Sequence, residues 1–408
     1  MRLGMFHPAF GEIRGAELLI AAQAQHFRTL GAAPELVTFT CDEARWRPYL
    51  DGVGVRVVPK RHWSDLFLGL TPLGKLQRRG ARAAKALVDF DLVIAHNFPA
   101  SAMLGAAPIR GRKVWQCNEP PRSLHPREAN PYLTAHSATP GEAPKAEAIQ
   151  AFRKDLQAFD ASMARGGSLP KRRAFDLASV GGLDLIYGIS EFTRDNAQAI
   201  YGRCRAEVIY PLVRFPEGGW RRSGLDRSVR RVLVHSRLEA PKNIDTVIRG
   251  FQRFRASAPV PCELHVVGDG PLRARLEDLA QELLPGGEVR FHGFLPEATL
   301  RTVYESCDVF ALLPLDEPFG MVFPEAAAKG LLLVGPDHGG PLEILAGGEL
   351  GWVVDAFDAQ ALAEALTRVW SLEDAEVDRR RELADRACRS RFGAESIGRQ
   401  LARLLRED

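Results

Sequence analysis

Asp316-Glu317-Pro318-Phe319-Gly320-Met321-Val322-Phe323-Pro324-Glu325 separates an apolar run at 309–313 from the helix-forming residues Ala326-Ala327-Ala328-Lys329. Pro324 suits the first position of a helix, where its missing N–H would have no partner anyway. Gly330 can end that helix in the left-handed conformation. A further apolar run follows at 331–334. The stretch therefore predicts a strand, a loop, a helix over 324–329 and a second strand. A helix start carries free backbone N–H groups and the positive end of the dipole, which suits phosphate. The acids beside it, Glu317 and Glu325, can accept hydrogen bonds from hydroxyl groups. Phosphate at the helix and hydroxyls on the carboxylates together describe a nucleotide-sugar site.

The same rhythm extends in both directions. Apolar runs at 3–6, 36–39, 55–58, 92–95, 114–117, 185–189 and 208–210 are separated by helical patterns such as 16–30, 73–88 and 192–201. Residues 214–230, with Pro216, Gly218, Gly219 and Gly224 among charged side chains, break the rhythm and read as a linker. New runs appear at 232–235, 264–267, 289–291, 309–313, 331–334 and 352–354, with helices near 243–256, 272–283, 297–305, 324–329, 359–369 and 394–405. Strands alternating with helices predict mostly parallel sheets wrapped by helices. The expected fold class is α/β, with two Rossmann-like doubly wound domains facing a central cleft. The boundaries are an N-terminal domain over 1–213, a linker over 214–230, a C-terminal domain over 231–385, and a last segment over 386–408 whose helix packs back on the first domain. Ligands of such sheets sit beyond the carboxyl ends of the strands. Residues 127–180 interrupt the first half. Pro, Gly and Ser cluster around 130–143, a charged helical pattern covers 145–165, and Lys171-Arg172-Arg173 follow. These residues read as helices lining the mouth of the cleft.

The chain has 408 residues, 46% hydrophobic and 26% charged, which is ordinary for a globular protein with a sizeable core. A net charge of +3 gives no indication of a nucleic-acid partner. The charge is uneven, with 29 Lys and Arg against 20 Asp and Glu in residues 1–215, and 25 against 31 in the remainder. The first half suits an anionic partner better. There Lys75, Arg78, Arg79, Arg82 and Lys85 recur at helical spacing, with Lys60, Arg61 and Trp63 nearby. They read either as a solvated helix face or as a surface for anionic lipid or an anionic acceptor. Six cysteines (Cys41, Cys117, Cys204, Cys262, Cys307 and Cys388) are scattered without a Cys-x-x-Cys pair and read as reduced core residues. The start lacks the features of a signal peptide, and no run of about 18 apolar residues could span a membrane. A cytoplasmic protein is expected, with peripheral contact at the inner membrane face as the alternative left open by the basic first half.

Val234-His235-Ser236-Arg237-Leu238-Glu239-Ala240-Pro241-Lys242-Asn243 runs from a strand end into a helix. Cations at a strand's carboxyl end can neutralise a diphosphate leaving group. Alone, Arg237 and Lys242 read first as surface cations, and the companion segments reverse that preference. Val266-Val267-Gly268-Asp269-Gly270-Pro271 is a strand followed by a tight turn whose glycines permit close backbone approach. Asp337-His338-Gly339-Gly340-Pro341-Leu342-Glu343 is a second glycine turn after a strand.

Taken in order, Ser236-Arg237-Leu238, Lys242-Asn243, Val267 to Pro271, the two glutamates separated by seven residues, and Gly339-Gly340 with Glu343 resemble the retaining glycosyltransferases of family 4, the glycosyl transferases group 1, which have the GT-B architecture. The resemblance is specific over 231–355. It is looser before that, where Gly11 to Glu17 is similar to the family's glycine loop. The resemblance implies an acceptor-side first domain and a second domain that binds the nucleotide-sugar donor. It implies that Arg237 and Lys242 grip the donor diphosphate and that Glu317 faces the donor sugar. The amides of Phe319, Gly320 and Met321 would hold sugar and phosphate, and Glu325 the ribose hydroxyls. Gly15 or its neighbour Arg14 would approach phosphate or acceptor, and the segment around Phe294-Leu295 would meet the nucleobase. Glu317 would then orient and stabilise charge while a leaving-group oxygen acts as base, so the two-carboxylate scheme of sugar hydrolysis need not apply.

One departure stands out. Where many relatives carry a sugar-contacting histidine, this chain reads Trp115-Gln116-Cys117-Asn118-Glu119-Pro120-Pro121-Arg122, with Asn118 in the histidine's place. Asparagine donates and accepts hydrogen bonds but carries no charge. His96, at the end of the preceding strand, is the other candidate for sugar or acceptor contact. Asp89-Phe90-Asp91 spells the Asp-x-Asp of metal-dependent enzymes but precedes a strand, at the wrong end of a sheet. No His/Cys spacing suggests zinc, and no phosphate loop of the ATPase type is present. The expected substrates are a nucleotide diphosphate sugar and a glycan, lipid-linked or small-molecule acceptor, with no metal and no separate cofactor. The alternatives are another GT-B activity, epimerase or phosphorylase, or a non-catalytic nucleotide-sugar or glycan-binding relative.

Overall fold

Strands buried on both faces need uninterrupted apolar runs, and parallel sheets covered by helices supply that environment. The computed structural model describes residues 1–12, 15–59, 71–137, 147–202, 207–216 and 223–406. Arg14, Lys60, Arg61, Trp63, Lys145 and Cys204 lie outside the described residues. Two compact units form. One comprises Met1–Pro131, Lys154–Leu212 and Ala394–Asp408, the other Tyr132–Arg153 and Val213–Gly393.

The first unit contains β1 (Arg2–Phe6), α1 (Gly15–Thr29), β2 (Ala33–Thr38), α2 (Glu43–Trp46), β3 (Gly54–Val57), α3 (Pro72–Leu87), β4 (Leu92–His96), α4 (Ala100–Gly105) and β5 (Arg112–Cys117). The chain continues through α5 (Pro131–Ser137), α6 (Glu147–Ala164), α7 (Ser168–Val180), β6 (Leu185–Gly188), α8 (Glu191–Tyr201) and β7 (Glu207–Val208). The strands form a sheet of order β3-β2-β1-β4-β5-β6-β7, with every pair parallel. One face packs Leu3, Met5, Ile94, Val114 and Tyr187 against Ile20, Ala24 and Phe27 of α1. The other packs Val37, Val93 and Ala95 against Leu76, Ala83 and Leu87 of α3.

The second unit contains β8 (Arg230–His235), α9 (Ile244–Ser257), β9 (Cys262–Val267), α10 (Arg273–Leu283), β10 (Val289–Gly293), α11 (Glu297–Ser306), β11 (Val309–Ala311) and α12 (Val322–Ala328). It closes with β12 (Leu332–Pro336), α13 (Gly339–Ile344), β13 (Trp352–Val354), α14 (Ala359–Trp370) and α15 (Asp374–Phe392), after which α16 (Ala394–Leu404) rejoins the first unit. Its sheet order is β10-β9-β8-β11-β12-β13. Counted from β8 this is the doubly wound order 3-2-1-4-5-6, which reverses between β8 and β11 and leaves a crevice at their carboxyl ends.

Two expectations change. The helix expected over 324–329 is Val322–Ala328, with Met321 as its N-cap, so Pro324 lies at the third helical position. A proline is tolerated there because the first-turn amides have no intrahelical acceptor. The expected break at 385/386 falls inside α15, which sequence reading missed. That helix runs unbroken to Phe392, and the second unit runs to Gly393.

Candidate active site

In the second unit the loops after β8 and β11 flank the reversal of strand order, and Arg237, Lys242 and Glu317 lie on them. The loop after β8 ends in a short 3-10 turn, Ala240–Lys242, and Asn243 then takes a left-handed conformation at φ 53°. Asn tolerates that region because its short amide can bond locally. Its Nδ2 donates to the Leu313 carbonyl at 2.9 Å and to the Ala356 carbonyl at 2.6 Å, while its Oδ1 accepts from the Thr246 hydroxyl at 2.8 Å. Leu315 N donates to the Pro241 carbonyl at 2.7 Å. These bonds tie the two loops together.

That tie brings Lys242 onto Glu317. Lys242 Nζ donates to Glu317 Oε2 at 2.5 Å, and the side chains are 26% and 16% exposed. Arg237, farther back on the same loop, is paired with Glu239 at 2.7 Å and is half exposed. Its partner in this structure is thus a neighbour in sequence, whereas Lys242 reaches the acid directly.

Adjacent acids separate in role. Asp316 has φ 49° and is fully buried. Its carboxylate accepts from the backbone N–H groups of Tyr132 and Leu133, both at 3.0 Å, so it serves the backbone. Its own N–H donates to His338 Nε2 at 3.2 Å. His338 Nε2 is therefore unprotonated, and Nδ1–H faces Asp337 Oδ1 at 3.0 Å. The Tyr132 ring stacks on His338 with centroids 3.4 Å apart, and its hydroxyl donates to Asp355 Oδ1 at 3.1 Å. Burial, with Asp355 and Asp337 nearby, pushes the Tyr132 phenol well above its usual range. Sequence reading did not find this contact, because the partners are far apart along the chain and share no local signal.

Phe319 is buried, with its ring edge-on to Phe392 at 5.2 Å. Gly320, at φ 93°, turns the chain into α12. The Gly339-Gly340 turn lies against this loop, and Gly340 N donates to the Glu317 carbonyl at 2.9 Å. A Cβ on Gly340 would stand 2.3 Å from Phe319 Cα and 2.5 Å from the Pro318 carbonyl oxygen. The other glycine turn does the same for the cationic loop. A Cβ on Gly268 would stand 1.9 Å from the Ser236 carbonyl oxygen, and Leu238 N donates to the Asp269 carbonyl at 3.0 Å.

Glu325 is half-buried on α12. Burial raises its carboxyl pKa and Lys329 opposes the shift. Lys329 Nζ sits 4.6 Å from the centre of the Tyr304 ring. The Tyr304 hydroxyl lies 2.8 Å from His235 Nδ1. Burial, helped by Lys329, lowers the His235 pKa to about 4. Leu295 is half-buried, and Phe294 beside it is 86% exposed at the end of β10.

In the first unit, Gly15 opens α1 with nothing within 4 Å of a Cβ built on it. His96 is fully buried at the end of β4, and neither ring nitrogen has a hydrogen-bond partner among the described residues. Burial, and then the His7 beside it, holds His96 well below its usual pKa. A neutral core imidazole of this kind has no exposed edge to offer a ligand. Asn118 is buried to 7% exposure just after β5, and its Oδ1 accepts from Gln116 Nε2 at 2.9 Å. Asp89 and Asp91 stand before β4, where Asp91 accepts from Arg2 N at 2.6 Å and Asp89 faces the Arg2 guanidinium at 4.0 Å. Among the described residues no group of three or more His, Cys, Asp or Glu is placed to hold a metal ion, and no helix is long and apolar enough to cross a membrane.

Residues 221–388 match the family described as Glycosyl transferases group 1. The D-inositol 3-phosphate glycosyltransferase of Corynebacterium urealyticum is 35% identical over 131 residues, which are 32% of this chain and 30% of that protein. The GDP-mannose-dependent alpha-(1-6)-phosphatidylinositol monomannoside mannosyltransferase of Mycolicibacterium smegmatis is 33% identical over 201 residues, 45% of this chain and 52% of that protein. The chain thus spans between 30% and 52% of the length of these two relatives. Among solved structures, Anabaena HepE in complex with UDP matches over 100% of both chains, with TM-score 0.69 and 17% identity. WaaG, a glycosyltransferase involved in lipopolysaccharide biosynthesis, matches over 100% of both chains, with TM-score 0.66 and 14% identity. The chain therefore has the GT-B fold of these structures, and its residues 221–388 are similar to the glycosyl transferases group 1.

Proposed function

We propose that this protein is a retaining glycosyltransferase that moves a sugar from a nucleotide diphosphate sugar to an acceptor hydroxyl without a metal. The observation that carries the reading is the Lys242–Glu317 pair at 2.5 Å, at the reversal of strand order and beside the start of α12. Lys242 supplies positive charge where a diphosphate departs, and preorganised charge of this kind lowers the barrier without reorganisation. Arg237 joins it by leaving Glu239. The amides around Phe319, Gly320 and Met321 bind phosphate and sugar oxygens. Glu317 orients the sugar and compensates positive charge at the reacting carbon. Glu325 accepts from the ribose hydroxyls, and Leu295 with Phe294 covers the base. A leaving phosphate oxygen takes the acceptor proton, so the new bond forms on the face the nucleotide leaves.

The relatives' printed substrates support a sugar nucleotide as donor and a glycan or lipid-linked group as acceptor. The basic face of α3 is our proposed contact with an anionic surface. The test is a panel of UDP-, GDP- and ADP-sugars, with binding by calorimetry and donor hydrolysis by nucleotide release. At least one donor is expected to bind and hydrolyse slowly, and the anomeric configuration of a transferred sugar is expected to match the donor's. Glu325→Ala weakens nucleotide binding, while Glu317→Ala mainly lowers turnover. No binding and no hydrolysis across the panel would refute the reading, and wild-type transfer in both variants would refute the site. Epimerised donor in the absence of acceptor, or sugar phosphate released from a glycan, would assign a different GT-B activity.

A further inference from the structure

Helix α5 begins at Pro131, so the amides of Tyr132 and Leu133 lie in its first turn and have no intrahelical acceptor. A residue at the N-cap would ordinarily supply one. Asn130, which holds that position, donates its Nδ2 to the Pro126 carbonyl at 2.6 Å. The acceptor comes from far along the chain: Asp316 Oδ1 takes the Tyr132 N–H and Oδ2 takes the Leu133 N–H, both at 3.0 Å. From Tyr132 onward α5 belongs to the second unit. Tyr132 also stacks on His338 with ring planes 4° apart, and its hydroxyl donates to Asp355. Asp316 follows β11, His338 follows β12 and Asp355 follows β13. The start of one helix thus touches the carboxyl-end loops of three neighbouring strands.

We infer that α5 is a clasp that positions Glu317, with Tyr132 and Asp316 as its positioning residues. The role given to Glu317 rests on the proposed function, but the clasp itself does not. Both sides of the Asp316-Glu317 pair are held by the turn after β12. Asp316 N–H donates to His338 Nε2 at 3.2 Å, and the Glu317 carbonyl accepts from Gly340 N–H at 2.9 Å. Tyr132 covers a face of the His338 ring, so the group that holds Asp316 is itself held by α5. Asp316 is fully buried at φ 49°, a left-handed conformation that is strained for a residue other than glycine. A carboxylate taken out of water needs donors, and the α5 amides supply two. Undocking α5 would strip both amides from a buried charge. The loop would relax by moving Asp316, and Glu317 with it. The Lys242–Glu317 contact at 2.5 Å depends on that placement.

Two experiments test this. The first needs no ligand: amide hydrogen exchange on the full chain, followed by NMR. In Tyr132→Ala the Leu133 and Gly340 amides are expected to exchange about tenfold faster or more. Leu238 N–H, bonded to the Asp269 carbonyl between the loops after β8 and β9, should keep its rate. Asp316→Asn keeps the shape but turns an NH2 toward one of the two helix amides, and it should speed the same pair. No acceleration at Gly340 would overturn the clasp, because Glu317 would then be held independently of α5. Equal acceleration at Gly340 and Leu238 would also overturn it, because that is general destabilisation. The second experiment measures kcat and KM for hydrolysis of UDP-glucose and GDP-mannose. Tyr132→Ala should lower kcat about tenfold or more and leave KM within about twofold, because on the proposed function Glu317 acts on the sugar and not on the nucleotide. Tyr132→Phe, which keeps the stack, should retain most of kcat. A raised KM at unchanged kcat, or equal losses for the Phe and Ala variants, would overturn the positioning of Glu317 through the His338 stack. If wild type hydrolyses neither donor, the proposed function fails for these two sugars, while the exchange rates still decide the clasp.

Discussion

Gly340→Ala is the sharpest test of how the second unit builds its site. The new Cβ would lie 2.3 Å from Phe319 Cα, 2.5 Å from the Pro318 carbonyl oxygen and 2.7 Å from the Phe319 carbonyl oxygen. All three are backbone atoms, so no side-chain rotation relieves the clash. Restoring ordinary contact at about 3.4 Å requires the two loops to part by roughly 1 Å, a strain in the range of about 1–3 kcal/mol for overpacking. The Gly340 N–H bond to the Glu317 carbonyl, 2.9 Å long, lengthens in the same movement, adding about 0.5–1.5 kcal/mol. A loss of about 2–4 kcal/mol lowers the melting temperature of a unit this size by roughly 5–10 °C. Function falls further, because Glu317 moves with its carbonyl, and a shift of about 1 Å at a reacting centre costs on the order of a hundredfold in turnover. Differential scanning calorimetry and the rate of donor hydrolysis measure the two effects separately. A variant that melts within about 1 °C of wild type and turns over donor unchanged would refute the claim that this turn holds the Glu317 loop by backbone contact.

Gly15→Ala is the contrasting case. The Cβ meets nothing within 4 Å, so stability should hold or rise by about 0.5 kcal/mol, while donor turnover falls if the Gly15 amide meets the ligand; unchanged kinetics would remove Gly15 from the site. His235 should give an acid limb in stability. Its folded pKa, about 4, lies below the unfolded value of 6.5, so the unfolded chain binds the extra proton and stability falls as pH drops from 6.5 toward 4. Full burial would make this about 3 kcal/mol, and the remaining exposure of the ring reduces it; His235→Gln should flatten the limb in urea titrations, and an unaltered limb would show that other groups produce it. Charge reversal on α3, Lys75→Glu with Lys85→Glu, should weaken sedimentation with vesicles containing anionic lipid by about 1 kcal/mol per charge or more; equal binding by the variant would return α3 to a plain solvated face.

Much of the fold was legible because parallel strands buried on both faces must be written as apolar runs. β8, β9, β11 and β12 each sit within a few residues of such a run. α15 was not legible. Its sequence, Asp374 to Phe392, is charged almost all round, and its buried stripe of Val377, Arg381, Ala384, Cys388 and Phe392 includes an arginine. Arg381 is nevertheless 1% exposed, with Nη1 donating to the Gly224 carbonyl at 2.6 Å and Nη2 facing Asp308 at 3.4 Å. Periodicity reads a stripe by hydrophobicity and passes over one held by a buried ion pair. In the site, Glu317 and Lys242 were legible as residue types at strand ends. The partner that Asp316 finds in the Tyr132 and Leu133 amides was not, because a cap formed across long sequence separation leaves no mark on the residues near it.

The division between what was read and what was missed follows from how the loops are held. The backbone does most of the fixing in the second unit: Leu238 N to Asp269 O, Leu272 N to Leu238 O, Leu315 N to Pro241 O and Gly340 N to Glu317 O. The two glycine turns permit these approaches because neither Gly268 nor Gly340 carries a side chain that would occupy the space. Asp316 and Asn243, both at positive φ and both buried, bond backbone groups through their side chains, and Asn243 also accepts from the Thr246 hydroxyl. Lys242, Arg237 and Glu317 are thereby left out of the framework, bonded to one another or to Glu239 and still partly exposed. On the proposed function, a diphosphate would replace the carboxylate partners of Lys242 and Arg237 while these backbone bonds hold the loops, the preorganisation that a charged leaving group requires.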